Sequence, residues 1–110
     1  MSTTESDVRV VLVTAPDDET SLRIARALVE ERLAACVNIV RTVRSVYRWE
    51  GEIQEDSEVL LMAKTRADRC EALASRVKAL HPYELPEVLV LPVTAGSDAY
   101  LEWVKTESAP

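Results

Sequence analysis

A chain of 110 residues, 47% hydrophobic and 29% charged, has the size and balance of one globular domain that can bury its own core. Its 19 acidic and 13 basic residues give a formal net charge of −6, which argues against a nucleic-acid-binding surface and against attraction to anionic membranes. Cys36 and Cys70 are unclustered, no basic n-region precedes an apolar segment, and no apolar run reaches spanning length, so the expected location is the cytoplasm.

Residues 1–7 are polar and read as a flexible tail, residues 8–105 as a single domain, and residues 106–110 as a second tail. The β-branched, nearly continuous apolar run 8–14 predicts a strand buried on both faces. Asp17 is placed to cap a helix whose first turn carries Asp18 and Glu19, and Leu22, Ala25, Leu28, Val29 and Leu33 extend its apolar stripe over 18–34. A long strand over 36–49 follows, with Val37, Ile39, Val43, Tyr47 and Trp49 on one parity. Gly51 supplies the positive φ of a tight hairpin, and the next strand is expected over 57–64.

Thr65 with Asp68 resembles a capping pair for a second helix, whose buried stripe is Ala67, Cys70, Leu73, Ala74, Val77 and Leu80. That helix stops at Pro82. The corner His-Pro-Tyr-Glu-Leu-Pro-Glu (81–87) then leads into a strand over 87–94 and a last helix over about 98–105. The order β-α-β-β-α-β plus a terminal helix reads as an α+β, ferredoxin-like split-βαβ domain. Two helices cover one face of such a sheet, yet three of its strands are apolar on both parities. The exposed face is therefore expected to meet another copy of the chain.

His81 beside Glu84 and Glu87 is a candidate imidazole–carboxylate metal set, though a histidine in the last helical turn also serves a purely structural role. Tyr47 and Trp49 are either cross-strand packing or an aromatic pocket wall, and Lys64 is either an ion-pair partner or an anion-binding group. Cys70 reads as a small buried hydrophobe, and a structural role is favoured for Cys36 too. Two glycines leave no phosphate-cradling loop, no nucleophile–base motif announces an enzyme, and no organic cofactor is expected.

The blocks Val13-Thr14-Ala15-Pro16, Leu33-Ala34-Ala35-Cys36-Val37-Asn38, Ser45-Val46-Tyr47-Arg48-Trp49-Glu50-Gly51, Lys64-Thr65, His81-Pro82-Tyr83-Glu84-Leu85-Pro86-Glu87 and Tyr100-Leu101-Glu102-Trp103 together resemble the CutA divalent-cation tolerance family, in order from residue 8 to 103. The resemblance implies a ferredoxin-like homotrimer similar in architecture to the PII signalling proteins. It also implies a response to divalent metal, copper most of all. Some members carry a candidate cysteine ligand where this chain has Val13, so His81, Glu84 and Glu87 remain as a weak nitrogen–oxygen site for copper(II) or another divalent cation. The family's shared residues Tyr47, Trp49, Lys64 and Tyr83 would line a cleft between subunits. A PII-like sensor holding a small anionic ligand in that cleft is the alternative expectation.

Overall fold

A computed structural model describes residues 6–110, so residues 1–5 of the expected N-terminal tail lie outside the described part. The other two tail residues are tied down: Ser6 donates its amide (3.0 Å) and its hydroxyl (2.7 Å) to Val93 O, and Asp7 O accepts from the Ala67 amide at 2.7 Å.

The elements are β1 (Val8–Ala15), α1 (Asp18–Glu30), β2 (Cys36–Trp49), β3 (Glu52–Arg66), α2 (Cys70–Leu80), β4 (Leu89–Pro92) and α3 (Asp98–Glu107). They build one sheet in the order β2-β3-β1-β4 with every pairing antiparallel, the ferredoxin-like topology expected from the element order. No helix among the described residues is long and apolar enough to cross a membrane.

One sheet face carries the main core. Val11, Val13 and Ala15 of β1 and Leu61 and Ala63 of β3 pack against Ile24 and Leu28 of α1 and Leu73 and Val77 of α2. Asp17 caps α1 as expected, its Oδ1 accepting from the Thr20 amide at 2.7 Å. The helix nevertheless ends at Glu30, short of the expected residue 34. Arg32 turns to φ 58°, and Leu33 N reaches Leu28 O at 2.8 Å while Arg32 N reaches Val29 O at 3.1 Å. This is a Schellman closure with arginine in the usual glycine place. Leu33 and Ala34 are still buried because the turn tucks them into the core, which is why they continued the helical stripe in the sequence.

Thr65 does not cap α2. It pairs with Arg9 inside the sheet, is fully buried, and donates its Oγ1 to Leu33 O at 2.7 Å, while Asp68 pairs with Arg66 at 2.7 Å. β3 starts at Glu52 rather than 57 because its polar first half pairs with Ser45–Trp49 as a two-stranded ribbon, and Glu50 joins Gly51 at positive φ in a two-residue turn. β4 is shorter than expected, Leu89–Pro92. The C-terminal residues are held as well. Ser108 is buried with its Oγ on Val104 O at 2.6 Å, and Arg32 donates to Thr106 O and Ala109 O.

A bulge in β2 re-aims the hairpin. Val40 pairs with Leu60 but Val43 pairs with Glu58, so one extra residue sits in β2, with Thr42 at φ 61°. Val37 and Ile39 therefore face the helices, whereas Val43, Tyr47 and Trp49 face the opposite side; the single parity expected for these five residues is split by the bulge. That opposite face carries Val10 and Leu12 of β1, Leu60 and Met62 of β3, and Leu89 and Leu91 of β4. α3 covers its one end, where Leu101 and Val104 pack on Val8 and Ala35. The rest is open, with Leu89 54% and Leu91 45% exposed.

Candidate functional site

The side chains that share a chemistry lie where the hairpin ribbon passes the 82–87 loop. α2 ends at Leu80, His81 turns to an extended conformation (φ −82°, ψ 137°), and Pro82 bars any further helix. His81 then fastens the loop to the sheet. Its Nδ1 accepts from the Tyr83 amide at 3.1 Å, so Nε2 carries the proton and donates to Thr14 O at 2.7 Å. The imidazole is buried and tilts against the Tyr83 ring with centroids 4.7 Å apart. Tyr83 in turn donates its hydroxyl to Glu58 Oε2 at 3.3 Å.

Tyr83 and Glu58 form one wall of an open groove of about 710 Å³, with His81 behind them. Tyr47, Trp49 and Tyr83 supply its aromatic surface, and Asp56, Glu58, Glu84 and Glu87 its charge. The lining contains no lysine, arginine or histidine among the described residues. Tyr47 donates its hydroxyl to Asp56 Oδ2, so both tyrosine hydroxyls are committed to carboxylates.

The titration behaviour follows from this crowding. Burial, the Glu58 charge and the Glu58 hydrogen bond push the Tyr83 phenol up to about 12, so it remains a donor across physiological pH. The hydrogen bond to Asp56 raises Tyr47. Glu87 is raised by loss of solvation and then by repulsion from Glu58.

The expected site residues separate into two places. Tyr47, Trp49, Tyr83, Glu84 and Glu87 meet in the groove. His81 stands behind it with both ring nitrogens bonded to backbone, so in this arrangement the imidazole has no lone pair to offer a metal, and the triplet His81, Glu84, Glu87 is not assembled as one ligand set. No cluster of three or more His, Cys, Asp or Glu among the described residues is arranged to hold a metal ion. Lys64 lies six residues beyond Glu58 on β3, about 20 Å along the strand, beside Val10 and Cys36. It neither lines the groove nor joins any ion pair among the described residues.

Asp56 and Glu58 were not singled out as groove residues from sequence. The available signal was Glu58 itself, a carboxylate in step with Leu60 and Met62 at the edge of an apolar alternation, where a solvent-facing role is the poorer reading.

Comparison with known proteins places these features in company. Residues 9–107 match the family model described as CutA1 divalent ion tolerance protein. The chain is 54% identical over 96 residues to the divalent-cation tolerance protein CutA of Thermus thermophilus, covering 87% of this chain and 93% of that protein. It is 50% identical over 103 residues to human protein CutA, covering 92% of this chain but 58% of the human protein, so it spans little more than half of that longer relative. The solved structure of the Thermus thermophilus divalent cation tolerance protein superposes with a TM-score of 0.89 at 52% identity, covering 91% of this chain and 97% of that one.

Proposed function

The chain belongs to the CutA1 divalent ion tolerance protein family, and on that footing we propose that it is a homotrimeric, metal-responsive protein whose groove takes divalent cations weakly through carboxylate oxygen. The observation that carries this reading is the groove's charge: four carboxylates, no basic residue on its wall, and a Glu87 whose ionisation is opposed by loss of solvation and then by Glu58. A divalent cation placed there relieves that repulsion. Since three protein donors do not converge, one or two carboxylates with water completing the shell are the appropriate coordination, which suits magnesium, manganese or weakly held copper(II). Two features speak against a thiolate copper site: Val13, two residues before the end of β1, is packed into the core, and both cysteines lie outside the groove.

The same wall offers an anionic ligand no basic partner, and Lys64 is too distant to supply one, so the groove's electrostatics favour the cation reading over an anion sensor. Trimer formation is supported by the uncovered apolar row Val10, Leu12, Met62, Leu89 and Leu91, a patch of the kind monomers rarely leave wet.

Calorimetric titration of copper(II), zinc and magnesium into wild type, Glu58→Gln and Glu87→Gln checks the reading. Affinity should fall in both variants. In wild type it should decline with acidification from above the ordinary carboxylate range, because a raised Glu87 takes its proton early. The sign for folding is opposite. A carboxylate raised in the folded state makes the native protein bind the proton more tightly, so stability drops as pH climbs from the usual carboxylate pKa through the raised one, and Glu87→Gln removes that slope. Unchanged binding in both variants would end the proposal.

A further inference from the structure

We propose that the groove is a receptor for small aliphatic polyamines, with ammonium groups on Glu58, Asp56 and Glu87 and the methylene chain against Tyr47, Trp49 and Tyr83. This rests on the reading of the groove as a cation site and goes beyond it by naming an organic ligand.

Glu58 is the first reason. It is 7% exposed, accepts one hydrogen bond, from the Tyr83 hydroxyl to Oε2, and has no ion-pair partner among the described residues. Its Oε1 has no hydrogen-bond partner among them, yet it is not sealed off from the groove that Glu58 lines. A carboxylate withdrawn from water without a countercharge is costly, so this position calls for a cation from outside the chain.

The spacing of the carboxylates is the second. A metal ion requires donors gathered at about 2.0–2.6 Å from one point, and no three of them gather so. Asp56 and Glu58 are instead two residues apart on one face of β3, about 7 Å along the strand, with Glu87 contributed by the loop. Charges spread along a groove match ammonium groups separated by methylenes better than they match a single ion.

The walls are the third. The tyrosine hydroxyls are already engaged by Asp56 and Glu58, so what the aromatic residues have left to offer is ring surface. Ring surface attracts ammonium through cation–π interaction and shelters an alkyl chain. A volume of about 710 Å³ lies within the range of small-molecule sites.

The test uses the full chain in its native assembly, with spermidine as the probe in low-salt buffer. Binding is read by calorimetry and by Trp49 emission in a Trp103→Phe background. Saturable binding is expected, weakened by added sodium chloride. Glu58→Gln should lower affinity by about tenfold or more, the loss of one charge-assisted hydrogen bond. Asp56→Asn, at an exposed position, supplies the same readout if Glu58→Gln does not fold. Trp49→Leu, followed by calorimetry, should weaken spermidine binding by removing ring surface from the wall. Magnesium or copper(II) binding with no spermidine binding overturns this inference and leaves the metal reading standing; binding of neither overturns both. Spermidine affinity that is unaltered by Glu58→Gln, Asp56→Asn and Trp49→Leu means diffuse attraction to an acidic protein and also overturns it.

Discussion

His81→Ala should cost roughly 2–4 kcal/mol of folding stability while leaving divalent-cation binding largely intact. The ring is 8% exposed, holds the Thr14 carbonyl at 2.7 Å, accepts the Tyr83 amide at 3.1 Å and packs on the Tyr83 ring. Its removal leaves a void and deprives a carbonyl and an amide of their partners, and each of these effects is destabilising on its own. The 82–87 loop should loosen at the same time, because Tyr83 loses the contact that sets its position against Glu58. Urea denaturation of wild type and variant measures the first effect, and metal titration of both measures the second. A histidine acting as a metal ligand would give the reverse pattern, near-native stability with binding abolished.

An equally large effect is expected from Leu12→Glu, which should convert the proposed trimer to monomer without unfolding the protomer. Leu12 lies between Met62 and Leu89 in the middle of the helix-free sheet face, while the helix-side core draws on Val11, Val13 and Ala15. A carboxylate there remains hydrated in a free protomer but would be buried without a partner in each subunit interface, at several kcal/mol per copy. Sedimentation equilibrium gives the mass and far-ultraviolet circular dichroism the fold. A Leu12→Glu protein that stays trimeric, or a wild type that is monomeric, places the assembly elsewhere or removes it.

The parts of the fold carried by strong local signals were legible in the sequence. The start of α1 at Asp17, the strand Cys36–Trp49 and the turn at Gly51 all follow from capping, β-branched runs and glycine chemistry, which act between near neighbours. What escaped depends on partners far along the chain. Thr65 has the right spacing to Asp68 for a cap, but a buried hydrogen bond to Leu33, 32 residues away, and pairing with Arg9 decide its place. The bulge between Val40 and Val43 inserts one residue, and that residue reverses the side on which Tyr47 and Trp49 emerge. No local pattern marks it.

The groove was half legible for the same reason. The sequence concentrates Tyr83, Glu84 and Glu87 in one proline-bounded loop, and the Tyr47–Trp49 pair shows alternation on a hairpin, so each side could be recognised alone. Joining them required knowing that His81 ties the loop to the end of β1. The lone histidine beside two acids reads as a ligand in one dimension. In three it is the fastening that holds Tyr83 over Glu58.

Oxygen from the groove carboxylates, and not the His81 imidazole, is proposed to meet the cation. Electron paramagnetic resonance of copper(II) added in less than one equivalent per chain, in wild type and in His81→Ala, tests it most directly. An oxygen-donor spectrum is expected that is the same in both proteins and is lost to the free-ion signal in Glu58→Gln. Nitrogen hyperfine structure in wild type that vanishes in His81→Ala would contradict it.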